Sequence, residues 1–128
     1  MTIEEVKQAR KAQTENVLLR EQLDQLKMVD PVPYMIRHFG PPQNIESCLE
    51  KHRRKIDALT EQLEANQRTI DAVLQQAESV PAEIRDILRL RILDLREWSD
   101  ISKILCRSGT PNTSYMRLFR YLDRTEAS

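Results

Sequence analysis

"IESCLEKHRRKIDALTEQLEANQRTIDAVLQQAESV", residues 45–80, decides the fold. Ile45, Leu49, His52, Ile56, Leu59, Leu63, Asn66, Ile70, Val73, Ala77 and Val80 follow one another at steps of four and three over five heptads, with Glu, Lys, Arg and Gln between them. Such steps lay side chains in one stripe along a helix, because a turn holds about 3.6 residues. A long helix with one apolar seam needs another helix to cover it. Asn66 sits on the seam, where an asparagine fixes register by pairing with its own copy, as in a parallel dimer. The same seam is equally served by an intramolecular antiparallel hairpin with the helix that precedes it. On sequence both architectures stand.

Upstream, residues 3–29 also read as helix, with Ala9, Ala12, Asn16, Leu19, Leu23 and Leu26 at the same steps and only small residues at the start. The segment "DPVPYMIRHFGPPQN", residues 30–44, then packs Pro31, Pro33, Pro41 and Pro42 with Gly40 into a loop. Proline lacks the backbone donor and restricts the residue before it, so the first helix stops here. Residues 1–80 form the expected coiled-coil or oligomerisation region, with helices over about 3–29 and 45–79. Leu49, Ile56, Leu59, Leu63, Asn66, Ile70 and Val73 are its candidate oligomerisation residues.

Composition fits that reading. The 128 residues hold two glycines, 5% aromatics and 31% charged residues at a net charge of zero, which favours charged helices over sheet and disfavours a deep core that shapes a substrate cleft. No apolar run reaches membrane-spanning length, and acidic residues in "MTIEEVKQARK" oppose a secretory signal, so a cytoplasmic protein is expected. Cys48 and Cys106 stand far apart, and His38 and His52 are isolated; free thiols and no metal or cofactor follow. Asp94, Glu97 and Asp100 are the densest acidic cluster, but no histidine or glycine-rich loop accompanies them, and capping and solubility account for them. An enzyme is not expected.

Residues 81–128 read as a separate three-helix domain. Pro81 suits a first helical position and Glu83 the positive end of that helix. Ile84, Ile87, Leu88 and residues 90–93 supply its apolar face, and "DLRE", residues 94–97, has capping-box spacing for the next helix. There Trp98, Ile101, Ile104 and Leu105 share one face, with Trp98 as a core anchor. "CRSGTPN" then makes a turn, with Gly109 free to take positive φ, Thr110 as N-cap and Pro111 at the first position of a third helix.

On that helix Tyr115, Leu118, Phe119 and Leu122 form the expected buried stripe, while Thr113, Arg117, Arg120 and Arg124 share the outward face, with Tyr121 off the stripe. From Lys103 to Arg124 five basic residues stand against Asp123 alone, whereas residues 1–80 hold eleven basic against thirteen acidic. A guanidinium row of this kind suits a major groove, where phosphates supply affinity and base edges specificity. A solvated face that touches nothing has the same pattern.

The stretch "PAEIRDILRLRILDLREWSDISKILCRS", residues 81–108, resembles the sigma-factor region 4 type of helix-turn-helix, with Trp98, Ile101 and Leu105 at the family's aromatic, isoleucine and leucine spacing, small Ser102 after the isoleucine, and Ser108 at the turn. Joined to an N-terminal coil, the layout resembles small phage-encoded transcription regulators of the ArpU type and related short phage proteins. The resemblance implies an all-α fold, a long helical hairpin or coiled coil followed by a three-helix helix-turn-helix domain. It also implies control of phage genes through double-stranded DNA or RNA polymerase. "SGTPNT" lengthens the family's turn. The family's base-reading positions fall on Asn112, Thr113, Ser114 and Arg117, with Arg120 and Arg124 as backbone contacts; Lys103 and Arg107 complete the expected DNA-binding set.

Two functions follow. In one, a homodimer spaces two DNA-reading heads through its coil. In the other, the coil seizes a host protein, such as polymerase or a defence factor, and the helix-turn-helix is a degenerate packing domain. A phage packaging adaptor is a third.

Overall fold

The computed structural model describes residues 1–28, 33, 36–38, 45–105 and 110–127, and every regular element among them is helical. They are α1 (Ile3–Met28), α2 (Ile45–Gln76), a 3-10 turn (Ala77–Ser79), α3 (Ala82–Ile92), α4 (Trp98–Leu105) and α5 (Thr113–Ala127). No helix among the described residues is long and apolar enough to cross a membrane. Within the expected proline loop, Pro33 and residues 36–38 have helical backbone, while Pro31, Gly40, Pro41 and Pro42 lie outside the described residues.

α1 begins on a cap that the seam spacing does not reveal. The Glu5 N–H donates to Thr2 Oγ1 at 3.1 Å, and Val6 N–H to the Thr2 carbonyl at 3.2 Å. "TIEE" is the Thr-x-x-Glu signature of a helix start, with Glu4 and Glu5 in the favourable first turn.

The chain divides into two compact units, Met1–Thr14 with Asn66–Ser128, and Glu15–Ala65. The division does not fall at residue 80. The C-terminal residues share their unit with the start of α1 and the end of α2. The core of the first unit draws Val6, Ala9 and Ala12 from α1 and Ile70 and Val73 from α2 into one cluster with Ile87, Leu88 and Ile92 of α3, Ile101 of α4, and Leu118 and Leu122 of α5. The small residues at the start of the first seam are therefore core residues; alanine lets helices approach closely. Ile70 and Val73, expected at an oligomer seam, are 0% and 3% exposed in this intrachain core.

The α3–α4 corner needs more than its own backbone. Leu93 and Asp94 N–H groups both donate to the Arg89 carbonyl, Arg96 N–H donates to Leu90 O at 3.0 Å, and Leu95 sits at φ 53°. A leucine in that left-handed region costs about 1–2 kcal/mol. Three long side chains hold it there: Arg10 Nη2 donates to Leu95 O at 3.2 Å, Gln13 Nε2 to Leu93 O at 3.5 Å, and Arg91 Nη1 to Arg96 O at 3.0 Å. The expected capping box does not start α4. The first turn closes from Ile101 N–H onto Glu97 O, so the helix opens three residues later than an Asp94 cap requires. The Glu97 carboxylate instead meets Arg10 at 3.2 Å and Arg91 at 3.7 Å. Burial, with Arg10's charge adding to it, holds the Arg91 guanidinium below its ordinary pKa, and Glu97 opposes that shift. Arg91 also lies 4.5 Å over the Trp98 ring, a cation–π contact.

In the second unit Asn16, fully buried, donates from Nδ2 to Leu63 O at 3.4 Å, and Gln62 Nε2 donates to Glu15 Oε1 at 2.8 Å. Ile56, Leu59 and Leu63 are half-buried and Leu49 is exposed. The buried seam asparagine is therefore Asn16; Asn66 is half-buried. Cys48 is a buried free thiol, and Cys106 lies outside the described residues.

Candidate nucleic-acid interface

α5 is the element on which the expected site rests, and its two faces follow from helical spacing. Leu118 and Leu122, four apart, are 0% and 3% exposed in the core of the first unit. Arg117, Arg120 and Arg124 step by three and four on the opposite side and are exposed. Lys103, on α4, is exposed as well.

The start of α5 is fastened to α4 through two serines. Ser114 N–H donates to Ser102 Oγ at 3.1 Å, Ser102 Oγ donates to Pro111 O at 3.0 Å, and the two hydroxyl oxygens lie 2.9 Å apart. Ser102 has one proton, so if Pro111 O takes it, Ser114 is the donor between the hydroxyls. Both serines are buried. Ser102, expected only as a small residue after the isoleucine, thus supplies from a neighbouring helix the acceptor that an N-cap ordinarily provides.

This arrangement corrects one expected base reader. Ser114 is 0% exposed, and its hydroxyl is turned onto Ser102 rather than toward solvent, so it cannot meet a base edge. Asn112 is exposed and Thr113 half-exposed, and both stay available. The helix opens at Thr113: Met116 N–H closes the first turn on Asn112 O, and Thr113 N–H donates to Thr110 O in the preceding turn. Asn112, not Thr110, occupies the N-cap. Arg107, Ser108 and Gly109 lie outside the described residues, and the expected lengthened turn falls partly with them.

The apolar side departs from the expected stripe in two places. Phe119 is 41% exposed, whereas Tyr121 packs half-buried against the core. The difference is not one of helical angle. Positions 119 and 121 each lie about 60° outside the 118/122 stripe, on opposite sides, so what packs alongside decides between them. Phe119 stacks on Tyr115 with ring centres 6.1 Å apart, and Tyr115 meets Trp98 edge-on at 5.2 Å. Trp98 thereby joins α4 to α5 and to Arg91, and packs partly buried against the core.

Arg117 has a partner that the spacing gave no sign of. Its Nη1 donates to Glu83 Oε1 in the first turn of α3. Among the described residues, Arg120, Arg124 and Lys103 make no ion pair. The site therefore presents, among the described residues, three exposed cations with no carboxylate partner and one held by a carboxylate. No group of residues that would hold a metal ion occurs among the described residues.

These features define a chain whose described elements are all helical and whose α5 carries an exposed arginine row. Comparison with protein-family models, curated proteins and solved structures finds no match to it.

Proposed function

We propose that the chain is a DNA-binding regulator in which α3, α4 and α5 act as a helix-turn-helix head and α5 enters the major groove of duplex DNA. The observation that carries this reading is the placement of Arg120 and Arg124: exposed, without carboxylate partners among the described residues, and backed directly by the buried Leu118 and Leu122. A helix so anchored keeps its guanidinium groups on one side without rotating, and guanidinium pairs bidentately with phosphate or with the guanine edge. Arg117 and Lys103 flank the row, and Asn112 and Thr113 stand at the end of α5 that approaches base edges first. The role in phage transcription rests on the resemblance of residues 81–108 alone.

In the same proposal α1 and α2 form an intramolecular antiparallel hairpin, with the start of α1 against the end of α2. Asn16 on Leu63, and Ile70 with Val73 in one cluster with Val6 and Ala9, support this arrangement over a parallel homodimer. The start of α1 then serves as a brace for the head through Arg10 and Gln13. Its chemistry is binding, not catalysis.

Fluorescence anisotropy of the full chain with random duplex DNA, between about 50 and 200 mM salt, tests the reading. Four cations on phosphate give a slope of log affinity on log salt of about −3 to −4, at −0.9 per contact. The Arg120→Ala, Arg124→Ala double variant should flatten that slope by about 2 while its helix content and melting stay as in the parent. Absence of duplex binding at the lower salt ends the proposal.

A second reading has its own observation. Phe119, Met116 and Ile104 are large apolar side chains with 39–51% exposure on α4 and α5. If the protein partner is met here rather than at the coil, they are the contact, and Phe119→Ser abolishes partner capture without touching DNA affinity.

A further inference from the structure

Glu83 and Arg117 lie 34 residues apart, and their ion pair crosses from the first turn of α3 to the outward face of α5. Both side chains are about half exposed, at 51% and 45%, so the pair fills no core position. The fold does not need it either. α5 is already fixed by Leu118 and Leu122 below and by the two-serine tie at its start. The carboxylate is well placed to persist, since it sits near the positive end of its own helix. Of the three outward arginines on α5, only this one meets an acid among the described residues. Asp86, one turn further along α3, is exposed and makes no ion pair among them.

A carboxylate offers a guanidinium the same forked pair of acceptors that a phosphodiester offers. The pair occupies Nη1, so a phosphate or guanine edge that takes the fork containing Nη1 must take it from Glu83. We infer that Glu83 is a built-in competitor for Arg117, a specificity-determining carboxylate that weakens the hold on arbitrary duplex DNA and releases Arg117 only to a sequence that contacts it well. This inference rests on the DNA-binding reading and names a regulator of that same site. It is the repulsive half of discrimination: a penalty paid on every duplex and repaid only where bidentate contact is made. Opening an exposed ion pair lowers affinity by about two- to fivefold, the equilibrium worth of such pairs.

The test compares the full-length parent, Glu83→Gln and Asp86→Asn for affinity to one random duplex by anisotropy at low salt. Glu83→Gln should bind about two- to fivefold more tightly, Asp86→Asn should gain less, and Arg117→Gln introduced beside Glu83→Gln should remove most of the gain. Equal gains for Glu83→Gln and Asp86→Asn would reduce the effect to general charge and overturn the inference. So would a Glu83→Gln protein that binds no better than the parent, provided its helix content is intact. Should Glu83→Gln melt early, Glu83→Ala and the Arg117→Gln single variant complete the cycle, and a zero coupling energy between the positions overturns it as well. In each of these outcomes the parent still binds DNA and the broader reading survives. If neither the parent nor any variant binds duplex at low salt, the DNA-binding reading itself has failed and takes this one with it.

Discussion

Replacing Ser102 with alanine removes one oxygen and disturbs three groups. Ser114 N–H, at the start of α5, loses the Ser102 acceptor; Pro111 O loses a donor; and the Ser114 hydroxyl loses its contact with Ser102, with both serines buried. A buried polar group left without a partner costs about 1–3 kcal/mol, and three such losses do not simply add, because a serine hydroxyl folds back readily onto the carbonyl three residues before it. Rotation of Ser114 Oγ onto Pro111 O recovers one bond, while Ser114 N–H still loses the acceptor that Ser102 gave it. The net cost is therefore about 2–3 kcal/mol, or roughly 6–15 °C in melting temperature for a chain of this size. Urea unfolding followed by the fluorescence of Trp98, the only tryptophan, reads the unit in which the serines lie. The midpoint should fall with the slope unchanged. Thr110→Ala, which cuts the exposed Thr110–Thr113 contact at 3.2 Å, is the control and should cost less than about 0.5 kcal/mol. A Ser102→Ala protein within about 0.5 kcal/mol of the parent would refute the reasoning, since it would mean that the three bonds contribute nothing beyond what water supplies.

Further outcomes follow from the same contacts. Leu95→Gly should raise stability by about 0.5 kcal/mol, the relief of positive φ being partly offset by the entropy a glycine adds to the unfolded chain, whereas the β-branched Leu95→Val should lower it by more than about 1 kcal/mol in thermal melts. Ala9→Leu puts three extra carbons into a site with no exposure and should cost about 1–3 kcal/mol by the same urea assay. Arg10→Gln takes a guanidinium from both Leu95 O and the largely exposed Glu97, and a loss of about 1 kcal/mol that is insensitive to added salt would assign the effect to the carbonyl bond rather than the ion pair.

The sequence made some of these features visible and hid others for physical reasons. Helical periodicity located α1, α2 and the buried Leu118 and Leu122, because steps of three and four report a local geometry that tertiary packing then uses. The same rule misplaced Phe119 and Tyr121, since residues at the edge of a stripe are buried or exposed according to what lies alongside, which spacing does not contain. Ala9 and Ala12 read as a weak seam because their value depends on how closely other helices come. "DLRE" has capping-box spacing, but Glu97 had stronger offers from Arg10, 87 residues away in the chain, and from Arg91. Ser114 read as a candidate base contact by its place early in the helix; the deciding fact, Ser102 on another helix, is a contact of two segments and not a property of either. "TIEE" at the N-terminus was a local signal, open to reading and overlooked behind the seam.

The central claim is that the outward arginines of α5 are where the molecule meets duplex DNA. Titrating the isotope-labelled full chain with random duplex and following the arginine side-chain Nε–H signals tests it residue by residue. Arg120 and Arg124 should shift first and furthest, with Arg117 following as Glu83 gives it up, while the arginines of α2 stay in place. Shifts confined to the helices of residues 1–65, or none on α5 at saturating DNA, would contradict it.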